Sequence, residues 1–522
     1  MFHRFRIGII MCIALMIVAC GNQAANIDPA MPATATAKPV MPTGTAAPVD
    51  ATATTVLAAD TATPVPAVAT ATPGEAAITT VPTTEASSGS NDATPRQPIA
   101  GGPTLLDRRI DVRRVSDVPV NSIRLVYDIN NSSLLMLTMS DGLQRINPGD
   151  GKTTIVASGA DMIGAAVPSG LAIAKDGTVY VVGNETVQTM TKALIRRGIP
   201  NGTGYTWETV ASTEPYPRSD TPFDHLFNGI VVDSKWIYAT SGSRTDHGEV
   251  ETQNGTFPDV REAALTARMY RFAANSKDIV LKNDEAAVAP YVYARGFRNA
   301  FDPAFAPNGE LFVGDNGPDA DLPDELNWVR QGGHFGFPWR FGDIDNPKRD
   351  PSYDPAKDVR LQPDFTAVQL GAYHNDPTYP KAPSNLIDPI INKGPAATNY
   401  RGIDGKSHDA AQEGKTLAGI TPHRSPLGLV FADQTFPKSW HADNKTLTGF
   451  LLSWGAAGGT LPDRGQDMLA LQLSKNGENY TMTTHQIVRD LHNPIDSAIV
   501  GDKIYVLEFG DKVAIWEFTF HE

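Results

Sequence analysis

Short apolar strands separated by tight turns recur along this chain from about Leu105 to its last residue, Glu522. In each unit, small and apolar residues alternate, a turn follows, and a second strand rich in Tyr, Val and Phe comes next. The units begin at Ile123, Gly170, Gly229, Phe301, Pro426 and Pro494. Repeated short strands of this kind indicate radial blades that bury one another's faces. We therefore predict an all-β fold, a six-bladed β-propeller over residues 104–522; a β-sandwich or two separate β domains is the alternative.

The two ends of this region are expected to pair with each other. The segment Ile110–Val115 near the start has the composition of a strand, and so has Ala514–Phe520 at the other end. Pairing between them would close the ring of blades and leave no open sheet edge there. We predict that the ring closes in this way.

The first residues have the pattern of an export signal. Two arginines precede an apolar run from Ile7 to Ala19, which is too short and too close to the terminus to favour a membrane span. The run ends in IVAC, which resembles a bacterial lipobox. Residues 1–20 are therefore the predicted signal peptide, and Cys20 is the predicted lipidation site, which would anchor the protein to the outer face of the cell membrane or in the periplasm. An ordinary secretory signal with an incidental cysteine is the alternative.

Residues 21–103 consist largely of Ala, Thr, Pro and small polar residues. Such a composition buries too little apolar surface to offset the entropy of ordering, so this segment is predicted to be a disordered tether. The two cysteines of the chain, Cys12 and Cys20, both precede it. The folded region therefore has no disulfide framework, and its stability must come from a large core.

The segment from Tyr293 to Trp339 is the richest in polar motifs. Within it, Asn308-Gly309 is a strong two-residue turn signal between half-buried strands, so an acidic loop follows a strand end. Carboxylate and amide oxygens are the ligands that calcium prefers. The loop carries such side chains at Asp315, Asn316, Asp319, Asp321, Asp324 and Glu325.

Four elements of this segment resemble the glucose/sorbosone dehydrogenase family, soluble quinoproteins that use pyrroloquinoline quinone. That family has Arg-Asn-Pro, an ENGP-like turn, DELN and GGNYGWP in this order. Here the elements are Arg298-Asn299, DNGP at Asp315–Pro318, DELN at Asp324–Asn327, and GGHFGFP at Gly332–Pro338. The resemblance implies oxidation of an aldose or related alcohol by hydride transfer to the quinone, with a calcium ion bound beside the cofactor.

The resemblance also implies roles for individual residues. His225, just before a blade hairpin, would take the hydroxyl proton of the sugar, since a pKa near 6.5 leaves imidazole a neutral acceptor. Arg298 and Asn299 would lie against the quinone carbonyls, where a guanidinium stabilises developing charge. Taken without the resemblance, a histidine before a strand and an Arg-Asn pair between blades also serve purely structural roles.

The implied metal and cofactor contacts extend further. The backbone carbonyls of Gly317 and Pro318 would bind the calcium ion. Side chains that are candidate ligands for this or another ion, or that only solvate the loop, are Asn316, Asp319, Asp324 and Glu325. The segment TPHRSPLGLVF resembles the Pro-Leu-Gly blade start that lines the family's pocket. It makes Thr421, His423 and Arg424 candidate cofactor contacts.

The chain departs from the family pattern at several positions. Phe301 stands where other members have Gln, and Ser243 where they have Asp. Before the last blade they carry Arg-x-Arg-Asp, where this chain has Asn493 and Ile495 in place of the arginines. Without that clamp, a tricarboxylate cofactor loses charge-assisted hydrogen bonds worth roughly 1.5 to 3 kcal/mol each. Candidate substitutes are Arg424, Lys438 and Lys445.

Two stretches interrupt the blade pattern. One is the Pro- and Asp-rich segment Arg340–Thr421, and the other is Asp246–Arg261. Long loops in a compact domain are often functional, so we assign these insertions to the ligand-facing surface of the ring. A structural decoration is the alternative.

The formal net charge of -14 argues against nucleic-acid binding, which needs a basic footprint. The leading hypothesis is an exported, lipid-anchored sugar dehydrogenase that uses pyrroloquinoline quinone and Ca2+. It would pass electrons to an acceptor such as a quinone, a cytochrome or a copper protein. The alternatives are a calcium-dependent sugar lactonase and a non-catalytic propeller that binds carbohydrate or protein.

Overall fold

The computed structural model describes residues 94–455 and 459–522. These residues form an all-β protein with five sheets of four or more strands, one sheet of three strands, and two two-stranded ribbons. The α-helices in these residues are short, at Gly159–Ile163, Glu285–Val288 and Thr366–Gln369. The 3-10 turns are Ala289–Tyr291, Pro347–Arg349, Pro355–Lys357 and Lys438–Trp440. Among the described residues, no helix is long and apolar enough to cross a membrane.

The larger sheets follow one another along the chain, and we number them from 1 to 6. Sheet 1 consists of Ser122–Asp128, Ser133–Thr138, Gly142–Ile146 and Thr153–Ala157. Sheet 2 consists of Val167–Ile173, Val179–Val187, Met190–Asn201 and Gly204–Thr213, with Tyr216–Pro217 and Ile279–Leu281 at its edges. Sheet 3 consists of Phe227–Val232, Trp236–Ser241, Arg268–Ala273 and Val292–Arg295.

The remaining sheets complete the domain. Sheet 4 is the three-stranded one, Ala300–Phe305, Leu311–Asp315 and Glu325–Val329. Sheet 5 consists of Pro426–Phe431, Leu447–Ser453, Asp467–Asn476 and Asn479–Arg489, extended by Thr104–Leu105, Ile391–Pro395 and Leu417–Ala418. Sheet 6 consists of Pro494–Val500, Lys503–Glu508, Ala514–Phe520 and Ile110–Asp117.

The first strands of these sheets form a closed ring. Each first strand lies against the first strand of the next sheet, and Pro494–Val500 of sheet 6 lies against Ser122–Asp128 of sheet 1. Sheets radiating from such a ring are the architecture of a β-propeller. The predicted all-β propeller is therefore confirmed.

The ring closes where the sequence predicts. Strand Ile110–Asp117 pairs antiparallel with the carboxy-terminal strand Ala514–Phe520, with Val112 opposite Phe518. Next to that pair, the Arg113 guanidinium donates to the Glu517 carboxylate at 2.5 Å. The two ends of the folded region thus share one sheet, and the pairing predicted for Ile110–Val115 is confirmed.

Apolar side chains fill the spaces between neighbouring sheets. Between sheets 2 and 3, the rings of Phe227 and Tyr270 stack with their centroids 5.4 Å apart. Between sheets 5 and 6, Phe450 and Phe520 pack 5.1 Å apart in a cluster with Phe436. Burying one such side chain contributes about 1.5 to 3 kcal/mol, so these layers supply the large core that a domain without disulfides requires.

A buried arginine ties the first strands together at the hub. Arg124 of sheet 1 lies with its guanidinium carbon 3.6 Å from the centroid of the Phe301 ring. Its N–H groups donate at 2.7 to 3.0 Å to the carbonyl oxygens of Ser169, Asn228 and Phe301. One side chain therefore links sheets 1, 2, 3 and 4.

Two buried carboxyl groups complete the hub. Asp496 of sheet 6 accepts a hydrogen bond from the Leu125 amide at 2.8 Å, and Asp302 of sheet 4 accepts one from the Leu429 amide at 3.0 Å. Burial raises the pKa of Asp496 to about 6 despite the nearby Arg124 charge. Burial and the neighbouring Asp496 raise the pKa of Asp302 well above its ordinary value. This pair of carboxyls therefore keeps a proton to higher pH than ordinary aspartates do.

The folded region begins earlier than predicted. The Arg96 amide donates to the Leu105 carbonyl at 3.0 Å and the Leu105 amide donates back at 2.8 Å, while Ile99 packs against the core of sheets 5 and 6. Residues 94–103, assigned to the tether from their composition, therefore belong to the folded region, because Ile99 finds an apolar surface that composition does not reveal. The predicted signal peptide, Cys20 and the rest of the tether lie outside the described residues.

Both predicted insertions are ordered. Arg340–Thr421 contains the ribbons Arg340–Phe341 with Ile344–Asp345 and Asn399–Arg401 with Ser407–Asp409. A cluster of buried side chains joins this insertion to the loop before sheet 3 and to the acidic loop of sheet 4. Its members are Phe223, Ala320, Leu322, Phe337, Phe341, Ala367 and Tyr373.

Candidate active site

His225 lies directly before the first strand of sheet 3. Its backbone amide donates to the Ser243 carbonyl at 2.9 Å, and the Gly242 amide donates to the Leu226 carbonyl at 2.7 Å. Glycine is required at position 242, because a Cβ there would lie 2.3 Å from the Cβ of His225. The imidazole is thus held against the end of the second strand of the same sheet.

The surroundings of His225 select one tautomer. The Ser243 hydroxyl donates its proton to the Thr245 carbonyl at 2.7 Å, so toward Nδ1 of His225, 3.3 Å away, it acts as an acceptor. Nδ1 then carries the ring proton and Nε2 carries the lone pair. Within the described residues, Nε2 is buried and has no hydrogen-bond partner. Burial and the nearby Arg298 charge hold the pKa of His225 well below its usual 6.5, so the ring is a neutral proton acceptor at pH 7.

Arg298 is held by Asp246, at the start of the shorter insertion. Its Nη2 donates to Oδ1 of Asp246 at 2.7 Å, and its Nε donates to the Asp246 backbone carbonyl at 2.8 Å. Although burial opposes ionisation, the Arg298 charge lowers the pKa of Asp246 below its ordinary value. The guanidinium is therefore fixed in position by a charged partner.

Asp246 gathers further groups around this ion pair. Its Oδ1 accepts from the Asp319 amide at 2.9 Å, and its Oδ2 accepts from the Tyr373 hydroxyl at 3.3 Å. Oδ2 also lies 2.8 Å from Nδ1 of His247, whose ring stacks on Tyr373 with centroids 3.8 Å apart. The acidic loop and the longer insertion are thus both attached to the Arg298–Asp246 pair.

Asn299 is positioned by two hydrogen bonds. Its amide donates to Asp315 at 2.5 Å, and its side-chain oxygen accepts from Nδ2 of Asn228 at 2.6 Å. Asp315 also accepts from the Arg298 amide at 3.0 Å. Burial raises the pKa of Asp315 to about 7. The strand end at Asp315 therefore sets the backbone of the Arg-Asn pair.

The acidic loop uses most of its carboxylates on backbone amides. Asp324 accepts from the Gly317 and Ser425 amides, both at 2.7 Å, and Glu325 accepts from the Gly342 amide at 2.7 Å. A Cβ at Gly317 would lie 2.6 Å from the Pro323 carbonyl, which explains the glycine. These bonds hold the loop in a compact turn.

The candidate metal ligands of this loop lie close together without forming an acidic cage. Asn316 is buried, the Pro318 carbonyl accepts from the Ala320 amide at 2.7 Å, and Asp319 accepts from the Ala367 amide at 2.9 Å. Among the described residues, no group of three or more His, Cys, Asp or Glu side chains is arranged to hold a metal ion. The calcium assignment stays a prediction that rests on the carbonyls of Gly317 and Pro318.

The three candidate cofactor contacts before sheet 5 are each bonded to a carboxylate. The Thr421 hydroxyl donates to Asp463 at 3.0 Å, and Nε2 of His423 lies 3.1 Å from Asp321. Although burial lowers it, the Asp321 hydrogen bond raises the pKa of His423 above 6.5.

Arg424 is the most strongly engaged of these three contacts. It pairs with Asp463 and, at 2.5 Å, with Asp467. Its charge is therefore already balanced by two carboxylates of the protein.

The structure also describes positions 493 and 495, where the sequence lacks the two arginines of the family pattern. Ile495 is fully buried in the core between sheets 6 and 1, and the side-chain oxygen of Asn493 accepts from Nε2 of Gln466 at 3.1 Å. Gln466 lines a cavity of about 570 Å³ together with Arg464 and Arg489. Neither Lys438 nor Lys445 lines this cavity; the Lys438 backbone amide donates to the Glu522 side chain.

The part of the chain that contains this site is similar to a known protein family. The family model described as Glucose / Sorbosone dehydrogenase matches residues 167–354, which include His225, Arg298 and the acidic loop. This match confirms the family resemblance.

One curated protein and several solved structures are also similar to this chain. Quinoprotein glucose dehydrogenase B of Acinetobacter calcoaceticus is 41% identical over 51 residues, which span 10% of this chain and 10% of that enzyme. A solved structure of a glucose dehydrogenase is 14% identical, with 78% of this chain and 98% of that chain covered and a TM-score of 0.50. The PQQ-bound aldose sugar dehydrogenase of Streptomyces coelicolor is 15% identical, with 78% and 98% covered and a TM-score of 0.44. At 14% identity, the likeness to the glucose dehydrogenase structure shows the fold alone.

Some residues of the site are not apparent from the sequence. In the sequence, Asp246 is recognisable only as the start of an insertion, and no motif singles out Tyr373 or Arg124. Asp246 comes three residues after Ser243, and Ser243 stands at the position where other family members have Asp. This proximity is the signal in the sequence that could have pointed to Asp246. Nothing in the sequence marks the partners of Arg124, because they are backbone carbonyls of three other sheets.

Proposed function

We propose that the protein is an exported quinoprotein oxidoreductase that oxidises a hydroxyl group of an aldose sugar or a related alcohol. The observation that carries the proposal is the buried, unpartnered Nε2 of His225 beside the fixed guanidinium of Arg298. An acceptor nitrogen without a partner is costly to bury, so it is expected where a substrate hydroxyl supplies the missing donor. The family match over residues 167–354 supports the same reaction class.

In this proposal, His225 takes the hydroxyl proton of the sugar on Nε2 while Ser243 keeps Nδ1 protonated. Arg298, held by Asp246, stabilises negative charge that develops on an oxygen atom near it. The buried cluster around Tyr373 and Phe337 limits the access of water to these groups. Pyrroloquinoline quinone, when bound, would supply the acceptor for the hydride.

The residues fit one part of that cofactor better than the other. Arg298 and Asn299 provide donors suited to the quinone carbonyls, and the carbonyls of Gly317 and Pro318 suit a calcium ion. Positions 493 and 495 offer no charge to its carboxylates. The 570 Å³ cavity beside Asn493 offers Arg464 and Arg489, but it is also lined by four carboxylates, so it does not replace the missing arginines; these are Asp409, Asp463, Asp467 and Asp490.

We further propose that the three-stranded sheet 4 counts as a full blade, which makes the propeller six-bladed. The chain would be exported through the signal peptide, anchored by lipid at Cys20, and located at the outer face of the cell membrane or in the periplasm. Electrons from the sugar would pass to a quinone, a cytochrome or a copper protein. For the lactonase alternative, the described residues offer no converging set of acidic metal ligands at the hub, where Arg124 faces Asp302 and Asp496.

The test is reconstitution of the purified protein with pyrroloquinoline quinone and Ca2+. The expected result is uptake of the cofactor with its absorption spectrum, followed by bleaching when aldoses are added and turnover with an artificial electron acceptor. His225→Gln should take up the cofactor normally and lose at least about 100-fold in turnover, the usual contribution of a general base. The matched control is His485→Gln, on the exposed side of sheet 5. Failure of uptake at high cofactor concentration would exclude the proposed reaction.

A further inference from the structure

A second cavity lies between sheets 1 and 2, and we name it the rim cavity. Its volume is about 560 Å³, and Asp128, Asn130, Arg145, Asp176 and Tyr205 are among its lining residues. Asn130 and Asp176 lie in the turns that follow the first strands of their sheets, whereas His225 precedes the first strand of sheet 3. Because the first strands of a propeller run in the same direction along its axis, the rim cavity opens on the face opposite to the candidate active site.

The polar side chains of the rim cavity are held in place before any ligand binds. Asp128, only 1% exposed, accepts from Nη1 of Arg145 and from Nδ2 of Asn131, both at 2.7 Å. Nδ2 of Asn130 donates to the Lys175 carbonyl of sheet 2 at 3.0 Å, which fixes this amide across the gap between the sheets. A ligand would therefore meet planar polar groups whose ordering cost is already met.

One wall of the rim cavity is aromatic. Tyr205 lines it and packs on Trp207 with ring centroids 5.7 Å apart. Trp207 in turn lies over Gly198, where a Cβ would come within 2.9 Å of the indole ring. At the mouth, Ile155 is 65% exposed. The lining of the cavity thus combines apolar and aromatic side chains with polar ones.

Charge narrows the class of ligand. The Asp128 carboxylate is balanced by Arg145, and Asp176 is the other charged group among the five residues named above. A nearly neutral lining of this kind does not select phosphate or carboxylate ligands. Its mixture of an aromatic wall with amide, carboxylate and guanidinium groups suits a molecule that has C–H faces and hydroxyl edges.

We infer that the rim cavity is a binding site for a neutral saccharide of one or two enclosed sugar rings, separate from the candidate active site. Its volume lies within the roughly 300 to 1,000 Å³ of small-molecule sites. The tyrosine ring would cover one face of a sugar ring, and Asn130, Arg145 and Asp176 would bond its hydroxyl groups. The inference is independent of the proposed oxidation.

The experiment measures binding of neutral trisaccharides, namely maltotriose, cellotriose and xylotriose, to the full chain by saturation-transfer NMR and calorimetry. At least one should bind to the wild type, and Tyr205→Ala and Asn130→Ala should each weaken its binding at least tenfold. His225→Gln and Tyr400→Ala, a tyrosine in the longer insertion, should bind as the wild type does. Two variants are used because Tyr205 is partly buried, whereas Asn130 is exposed and its replacement leaves the core intact. Weaker binding by Asn130→Ala therefore cannot come from a disturbed core.

Three results would overturn the inference. One is the absence of binding by all three trisaccharides. Another is unchanged binding in both Tyr205→Ala and Asn130→Ala, which would show that the saccharide binds outside the rim cavity. The third is loss of binding in His225→Gln, which would place the saccharide at the candidate active site. None of these readouts requires turnover, so they are distinct from a failure of the proposed function.

Discussion

Arg298 and Asp246 form an ion pair at 2.7 Å, although the exposed fraction is 3% for one side chain and 0% for the other. The two residues belong to different sheets' loops and are separated by 52 positions in the chain. Two such charges are costly to remove from water and are tolerated only when each satisfies the other. The pair therefore joins the shorter insertion to the start of sheet 4.

Asp246→Asn should destabilise the fold, because it leaves the Arg298 charge buried without its partner. The expected loss in the free energy of unfolding is about 3 to 5 kcal/mol, measured by urea denaturation. The control is Asp150→Asn, whose partner Lys152 is largely exposed and whose loss should leave the denaturation midpoint unchanged. Equal midpoints for the two variants would contradict the structural role of Asp246.

The acid limb of the turnover–pH profile should lie below the ordinary histidine pKa of about 6.5. Burial and the Arg298 charge lower the pKa of His225, so the ring stays neutral as the pH falls through 6.5. Ser243→Asp would place a carboxylate near Nδ1 and should move this limb to higher pH. A limb that is the same in wild type and Ser243→Asp would show that another group controls it.

Stability should decrease as the pH rises from about 5 toward 8. Burial raises the pKa of Glu325 from 4.5 to about 8, so the folded protein keeps a proton that the unfolded chain releases above pH 4.5. Such a group contributes stability at low pH and loses it as the pH approaches the folded pKa, at about 1.4 kcal/mol per pH unit. Glu325→Gln should reduce this slope in urea titrations, whereas Glu478→Gln on the surface should keep it. A slope unaffected by Glu325→Gln would show that Glu325 is ionised in the folded protein.

Arg124→Met should weaken the hub. The variant removes hydrogen bonds to three sheets and leaves Asp496 without its nearest cation, for which a loss of about 3 to 5 kcal/mol is expected. Arg114→Met, at a half-exposed arginine paired with Asp117, is the matched control and should change little. The measurement is the urea denaturation midpoint of both variants. If Arg124→Met is as stable as Arg114→Met, the packing of residue 124 on Phe301 contributes more to stability than these hydrogen bonds do.

Local patterns in the sequence predicted the features that depend on neighbouring residues. The Asn308-Gly309 signal correctly placed a hairpin turn between strands Ala300–Phe305 and Leu311–Asp315, and Gly309 has a positive φ of 83°. The connection is longer than the two residues predicted, because the last backbone hydrogen bond joins the Ala306 amide to the Glu310 carbonyl. Strand alternation identified the blades and the closing strand. These features depend on periodicity and turn chemistry, which any short window of sequence contains.

The partners of charged side chains could not be predicted in the same way. Arg298 and Arg424 were assigned to a cofactor, yet both contact carboxylates of the protein, Asp246 for the first and Asp463 with Asp467 for the second. Such pairings depend on how distant loops meet in three dimensions. The early start of the folded region depends on distant contacts too, because Ile99 is isolated in sequence and is partly buried where it packs on sheets 5 and 6.

Sheet 6 has a consequence for how the molecule is made. Its outermost strand, Ile110–Asp117, is synthesised before every strand of sheets 1 to 4, and its partner, Ala514–Phe520, is synthesised after all of them. In the nascent chain, Ile110–Asp117 therefore remains an unpaired strand edge until Ala514–Phe520 has been made, and the ring can close only then. Removal of strand Ala514–Phe520 would leave Ile110–Asp117 without its partner. The chain would then be prone to aggregate along that unpaired strand edge.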